Sequence, residues 1–306
     1  MISIENIKDL DKIMAGKKFD IIFSNPPYNG NLDLKIIKSL FEENTADNIV
    51  FVHPAGYLLD KKFKTKLYNE LRNTNYLESV NLFWGNKLFD IKLFYPCCVS
   101  VWNTNKTDDK CLVNDNAFIR WTGNEPKYSC KINDISIHGK IFENVKHFLK
   151  FDNNLLTHIT NENDLNDYSV KFALIRGGSD ILKSDSNNTC EHFYSIIGQD
   201  VENYKCDHTF RFGNHVNCKL HWAFNNEIER ENFINYCKSK IVRFLLSVIK
   251  VSGHIDSGEL EVIPWMDFTQ EWNDKKLCKE FGISEELWNY IDNFIPDYYS
   301  DYKSGF

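Results

Sequence analysis

The stretch Phe19-Asp20-Ile21-Ile22-Phe23-Ser24-Asn25-Pro26-Pro27-Tyr28 passes from a short apolar run into a polar turn stiffened by two prolines. Residues 19–23 suit a buried parallel strand. Pro26 and Pro27 fix φ and lack backbone donors, so the turn presents carbonyls. In an open α/β sheet, ligands sit outside the carboxyl ends of the strands, where this turn falls. The flanking pattern agrees. Leu34 to Phe41 predicts a helix with Ile36, Ile37, Leu40 and Phe41 on one face. Asn48 to Val52 predicts a second buried strand, Lys61 to Leu71 a second helix, and Leu77–Trp84 and Phe94–Trp102 two more strands. Strand and helix alternating in this way predict the back half of a doubly wound α/β sheet.

A polar stretch from Asn103 to Lys110 ends that unit. Residues 112–139 read as short strands and Lys140 to Lys150 as a helix. Residues 151–167, rich in Asn, Asp and Thr, read as a linker between a partial catalytic domain (1–150) and a second domain (168–306). The second domain is read as α+β. Tyr168 to Trp222 suits short strands and loops. Glu227 to Lys250 carries the longest helical stripe, and Trp272 to Pro296 a small helical end piece.

With 306 residues, 42% of them hydrophobic, the chain can bury a substantial core. It has no apolar run near the length of a membrane span. Its first residues lack the basic start and apolar stretch of a secretory signal. Nine cysteines, odd in number and never spaced C-x-x-C, fit free thiols in a reducing cytoplasm. Net charge is −7, with a small positive excess in residues 1–150 and a large negative one thereafter. Phosphate contact needs local positive potential rather than a basic average, so the balance only weakly opposes a nucleic-acid partner.

The chemistry belongs to the turn. An exocyclic amino group on a base is a poor nucleophile because its lone pair is shared with the ring. If the Asn25 side-chain oxygen and the Pro26 carbonyl accept its two hydrogens, the lone pair is pushed toward a methyl donor. Tyr28 would stack on the base once it leaves the duplex. The bland alternative is a turn in which Asn25 caps and the prolines only stiffen. Phe19 to Tyr28 resembles the catalytic segment of N-P-P-Y adenine methyltransferases. His53-Pro54-Ala55-Gly56-Tyr57-Leu58-Leu59 resembles the next strand end in restriction-modification adenine methylases and their phage relatives. Residues 240–247, 263–272 and 281–286 resemble the C-terminal region of the same family. The resemblance implies a Rossmann-like methyltransferase sheet, S-adenosyl-L-methionine (AdoMet) as donor, adenine in DNA as target, and a target-recognition region after the catalytic part.

That family binds AdoMet at a glycine-rich turn, roughly F-x-G-x-G, and no G-x-G occurs in these 306 residues. Arg176-Gly177-Gly178-Ser179-Asp180 has the wrong spacing and reads as a tight turn. Only 24 residues precede Asn25, too few for the cofactor half in the usual order. The expectation is therefore a C-terminal half whose partner chain holds AdoMet, a truncated product, or a relative that binds DNA without methylating it. A sheet lacking its first strands exposes an apolar edge that invites a partner.

Phe94 is a candidate second stacking face for the base, with core packing as the alternative. Lys61, Lys62, Lys64 and Lys66 form a compact basic run, suited to DNA phosphates or to a solvated helix face. Lys240 and Arg243, with Lys238 and Lys250, pose the same choice on the long helix. Arg211 and His215 are candidates for reading base edges. Cys206, His208, His215, Cys218 and His221 cluster, but their spacing matches no common zinc finger, so no metal is expected. The enzyme reading thus stands beside a second, a non-catalytic DNA-binding or assembly subunit.

Overall fold

The computed structural model describes residues 16–61, 65–88, 96–148, 151–159, 170–174, 190–193, 220–224, 226–249, 257–295 and 297. They divide into two compact units, with the division between Glu143 and Asn144.

In the first unit, β1 (Phe19–Ser24) is followed by α1 (Leu32–Glu42), β2 (Ala46–Pro54), α2 (Gly56–Leu59), α3 (Lys66–Arg72), β3 (Leu77–Trp84) and α4 (Gly85–Leu88). Then come β4 (Pro96–Asn103), β5 (Lys110–Asp115), α5 (Ile119–Thr122) and β6 (Lys127–Lys131). A single turn, α6 (Phe142–Val145), runs across the division. The strands form one mixed sheet in the order β1-β2-β4-β3-β5-β6. β1 pairs parallel to β2, and β3 parallel to β5. β4 lies antiparallel between β2 and β3, and β6 closes the far edge antiparallel to β5. The unit is therefore α/β with a six-stranded mixed sheet.

Strand pairing makes the two faces of this sheet easy to trace, because paired residues point the same way. One row runs Ser24↔Phe51↔Ser100↔Val80↔Val113↔Tyr128. From Phe51 onward every residue in it is buried. The neighbouring row, Phe23↔Val50↔Val101↔Ser79↔Leu112, lies on the opposite face. There Phe23 and Leu112 are exposed, and the residues between them are half-buried. The helix expected over Lys61–Leu71 is shorter and later. Asp60 is extended at φ −67°, ψ 115°, and the helix over this region is α3.

The second unit holds a three-stranded sheet in the order β8-β7-β9, built from β7 (Val170–Leu174), β8 (Cys190–Phe193) and β9 (Leu220–Phe224). β8 is parallel and β9 antiparallel to β7. The long helix expected from Glu227 to Lys250 is two helices, α7 (Glu227–Lys238) and α8 (Lys240–Ile249). They are broken at Ser239, which is extended at φ −59°, ψ 149°. The apolar stripe continues across the break, so hydrophobic periodicity alone did not reveal it. α9 (Asp274–Glu280) and α10 (Glu285–Phe294) form the helical end piece. The core is aromatic. The Phe233 ring centroid lies 5.7 Å from Trp222, 5.0 Å from Phe224 and 5.1 Å from Phe268. No helix among the described residues is long and apolar enough to cross a membrane.

Candidate active site

β1 delivers Asn25-Pro26-Pro27-Tyr28 to the carboxyl end of the sheet, beside the end of the parallel strand β2. Pro26 is buried and anchors the turn, while Asn25 and Pro27 are exposed and Tyr28 is half-buried. The chain then enters α1 through two successive left-handed residues, Gly30 at φ 61° and Asn31 at φ 59°. Glycine adopts that conformation at little cost, and asparagine tolerates it better than most residues. The Tyr28 hydroxyl donates to Asn25 Oδ1 at 2.5 Å and lies 3.1 Å from the Val52 carbonyl oxygen in β2. The four residues are thus brought together, with the amide of Asn25 open to solvent beside the Tyr28 ring.

Behind the turn lies a polar network that the sequence did not announce. Asp33, in the first turn of α1, and His53 and Ser100, in β2 and β4, are all buried. His53 Nδ1 lies 3.2 Å from Asp33 Oδ2, and His53 Nε2 lies 2.9 Å from Ser100 Oγ. Trp102 Nε1 donates to Ser100 Oγ at 2.9 Å. One proton assignment satisfies the whole chain. Trp102 donates to Ser100, Ser100 donates to His53 Nε2, and the His53 Nδ1–H donates to the Asp33 carboxylate. Burial lowers the His53 pKa, against the opposing pull of the Asp33 charge, and so favours the neutral ring this assignment needs. The Tyr57 hydroxyl, 3.4 Å from His53 Nε2, closes the cluster. Through Asp33 the network ties the start of α1, four residues past Asn29, to the middle of the sheet. The usable signal was a histidine inside the apolar strand Asn48-Ile49-Val50-Phe51-Val52-His53.

Lys61 is buried rather than on a solvated face. Its ammonium donates to the Asn133 carbonyl at 2.7 Å and lies 4.6 Å from the Phe142 ring centroid. Burial, aided by the Arg72 charge, pushes its pKa down to about 7. Arg243 is fully buried within the second unit. An amine or guanidinium enclosed in this way does not reach phosphate, so both are corrections to the expected DNA contacts. Lys240 is held by Asp292 at 2.6 Å and Asp297 at 3.0 Å. Lys66 remains exposed, 3.6 Å from Glu70. Phe94, Lys62, Lys64, Arg211, His215 and the cysteine–histidine cluster up to Cys218 lie outside the described residues, as does the His221 side chain. No metal-binding group of His, Cys, Asp or Glu occurs among the described residues.

The described residues do not fit AdoMet as a self-contained site. Such a cofactor needs a turn where bare backbone approaches it closely. Among the described residues, the glycines with positive φ are Gly16, Gly30, Gly123, Gly139 and Gly282. None of them opens a glycine pair at the end of a parallel strand.

No family model matches the chain, and no curated protein does. Among solved structures, it is similar to the methyltransferase subunit of a type I restriction-modification system from Streptococcus thermophilus. That likeness has 13% identity and a TM-score of 0.26, over 44% of this chain and 32% of that one. It is also similar to the type IIG restriction endonuclease BpuSI, at 15% identity and a TM-score of 0.26, over 59% of this chain and 26% of that one. The chain therefore spans well under half the length of either protein.

Proposed function

We propose that this chain presents the target base in an N6-adenine DNA methyltransferase, as the target-base half of an enzyme whose AdoMet site lies elsewhere. The observation that carries this reading is the exposed Asn25 amide at a strand end, fixed between a buried proline and the Tyr28 ring. Asn25 Oδ1 and the Pro26 carbonyl accept the amino hydrogens, and the phenol ring stacks on the extruded adenine. Rigid acceptors at the end of a sheet supply orientation and electrostatic support without reorganising during the reaction. The resemblance of residues 19–28 to adenine methylases supplies the substrate class.

The test is the formation of N6-methyladenine in duplex DNA, read by mass spectrometry, using the chain recovered with whatever polypeptide it binds in cells. Asn25→Ala is expected to lower methylation on the order of a hundredfold with DNA binding retained. The isolated chain titrated with AdoMet is expected to give no heat of binding. Micromolar affinity would mean that the cofactor site has been misplaced. A second reading, a non-catalytic DNA-binding or assembly subunit, is favoured by the exposed apolar side chains Phe19, Ile21 and Phe23 on β1. DNA bound with adenine left unmethylated in every preparation would establish that reading instead.

A further inference from the structure

The Tyr28 hydroxyl has two acceptors in reach, and one of them is the atom an incoming amino group needs. It lies 2.5 Å from Asn25 Oδ1 and 3.1 Å from the Val52 carbonyl. A phenol carries one hydrogen, so these are alternative positions for a single proton. At rest the shorter contact holds it, and the Asn25 oxygen is already engaged. Val52 lies one residue beyond the last β1–β2 pair, Ser24↔Phe51. Its carbonyl is therefore positioned to take the proton without withdrawing from the β1 ladder.

We propose that the Tyr28 hydroxyl is an internal stand-in for the base amino group. It caps Asn25 Oδ1 while the site is empty and swings to the Val52 carbonyl when an amino donor arrives. This inference rests on reading residues 25–28 as an amino-base site. The exchange needs a rotation of one C–O bond, and the hydroxyl keeps an acceptor in both positions, so no polar group is stranded. The Tyr28 ring stays in place to stack. The cap makes adenine displace a hydrogen bond before it forms its own, whereas a purine lacking the 6-amino group displaces nothing. Tyr28 therefore limits how strongly the free site favours adenine, and it holds the Asn25 amide oriented until a base enters.

Two measurements on the full chain test this. With asparagine side-chain carbonyls labelled with carbon-13, and the Asn25 signal assigned through Asn25→Ala, Tyr28→Phe is expected to move that signal upfield as its donor is lost. An unmoved signal overturns the proposal, while an adenine preference in the unmodified protein would still uphold the base site. The second measurement is fluorescence anisotropy with single-stranded oligonucleotides carrying either adenine or 6-unsubstituted purine at one position. Tyr28→Phe is expected to raise the preference for adenine over purine by about two- to threefold, because the hydroxyl regains an acceptor at Val52 and adenine entry costs only part of one hydrogen bond. Tyr28→Leu, which loses the ring as well, is expected to weaken both oligonucleotides together. A preference unchanged in Tyr28→Phe overturns the exchange. A shifted carbonyl signal with no discrimination between the oligonucleotides in any of the proteins overturns the base-site reading and the exchange with it.

Discussion

Two buried ionisable side chains in the first unit respond to pH in opposite directions. His53 has its pKa lowered by burial, so the stability it contributes is present above 6.5 and is lost as pH falls below that value. His53→Gln breaks the chain from Trp102 to Asp33 and is expected to cost about 2 kcal/mol at pH 8. In denaturant titrations that cost should shrink between pH 7 and pH 5, because the histidine protein weakens on acidification and the glutamine protein does not. A cost independent of pH would mean His53 enters the fold already charged. Asp115, at the end of β5, accepts from the backbone N–H groups of Ala117 at 3.0 Å and Phe118 at 2.7 Å, both through Oδ1. Burial nevertheless raises its pKa from 3.8 to about 6, which corresponds to roughly 3 kcal/mol. Its contribution is complete below 3.8 and is lost as pH rises through about 6. Asparagine keeps the accepting oxygen without the charge. Asp115→Asn is therefore expected to melt above the unmodified protein at pH 8, with the gap closing toward pH 4 in a calorimetric series.

Among the secondary-structure elements, the start of α8 depends on a side chain from a distant helix. Asp274 Oδ1 accepts from Ile241 N at 3.0 Å and Oδ2 from Lys240 N at 3.2 Å, while Ser239 Oγ accepts from Val242 N at 3.3 Å. Free N–H groups and the helix dipole favour a carboxylate there. Asp274→Ala is expected to lower stability by about 1–2 kcal/mol in urea titration, and Ser239→Ala by about 1 kcal/mol. Loss of neither would deny α8 a capped start. This cap also explains why the sequence hid the break at Ser239. The apolar stripe from Phe233 to Val248 runs through it, and the Asp274 carboxylate that caps the start of α8 lies more than 30 residues away. Elements governed by local pattern were legible. β3 spans Leu77–Trp84 as expected, and β1 leads into Asn25-Pro26-Pro27-Tyr28, though the apolar run expected as a buried strand leaves Phe19, Ile21 and Phe23 exposed at the end of the sheet's strand order. Features set by pairing between distant strands were not. Nothing local marks β4 as the antiparallel strand between β2 and β3, or brings Asp33, His53 and Ser100 into one chain. Lys61 misled for the same reason, since a basic run looks solvated until the Asn133 carbonyl that receives it is known.

For the molecule as a whole, the unequal faces of the six-stranded sheet divide its side chains into those that hold the fold and those that do not. On one face Phe51, Val80 and Val113 are at most 2% exposed, and their burial contributes stability in proportion to the apolar area hidden. On the other, Phe23 is 72% and Leu112 52% exposed, so folding removes little of their surface from water. Both belong to one cross-strand row, in which Val50, Val101 and Ser79 between them are half-buried, so the exposed apolar side chains stand at the two ends of that row. Replacing Phe23 and Leu112 together by threonine preserves strand propensity. The double variant is expected to unfold within about 0.5 kcal/mol per site of the unmodified chain. It should also bind markedly less of a dye that fluoresces on exposed apolar surface. Phe51→Ala, on the buried face, is expected to cost about 3–5 kcal/mol and to leave a cavity. If the threonine pair proved as costly as Phe51→Ala, the surface would be buried in solution and the two faces would be equivalent.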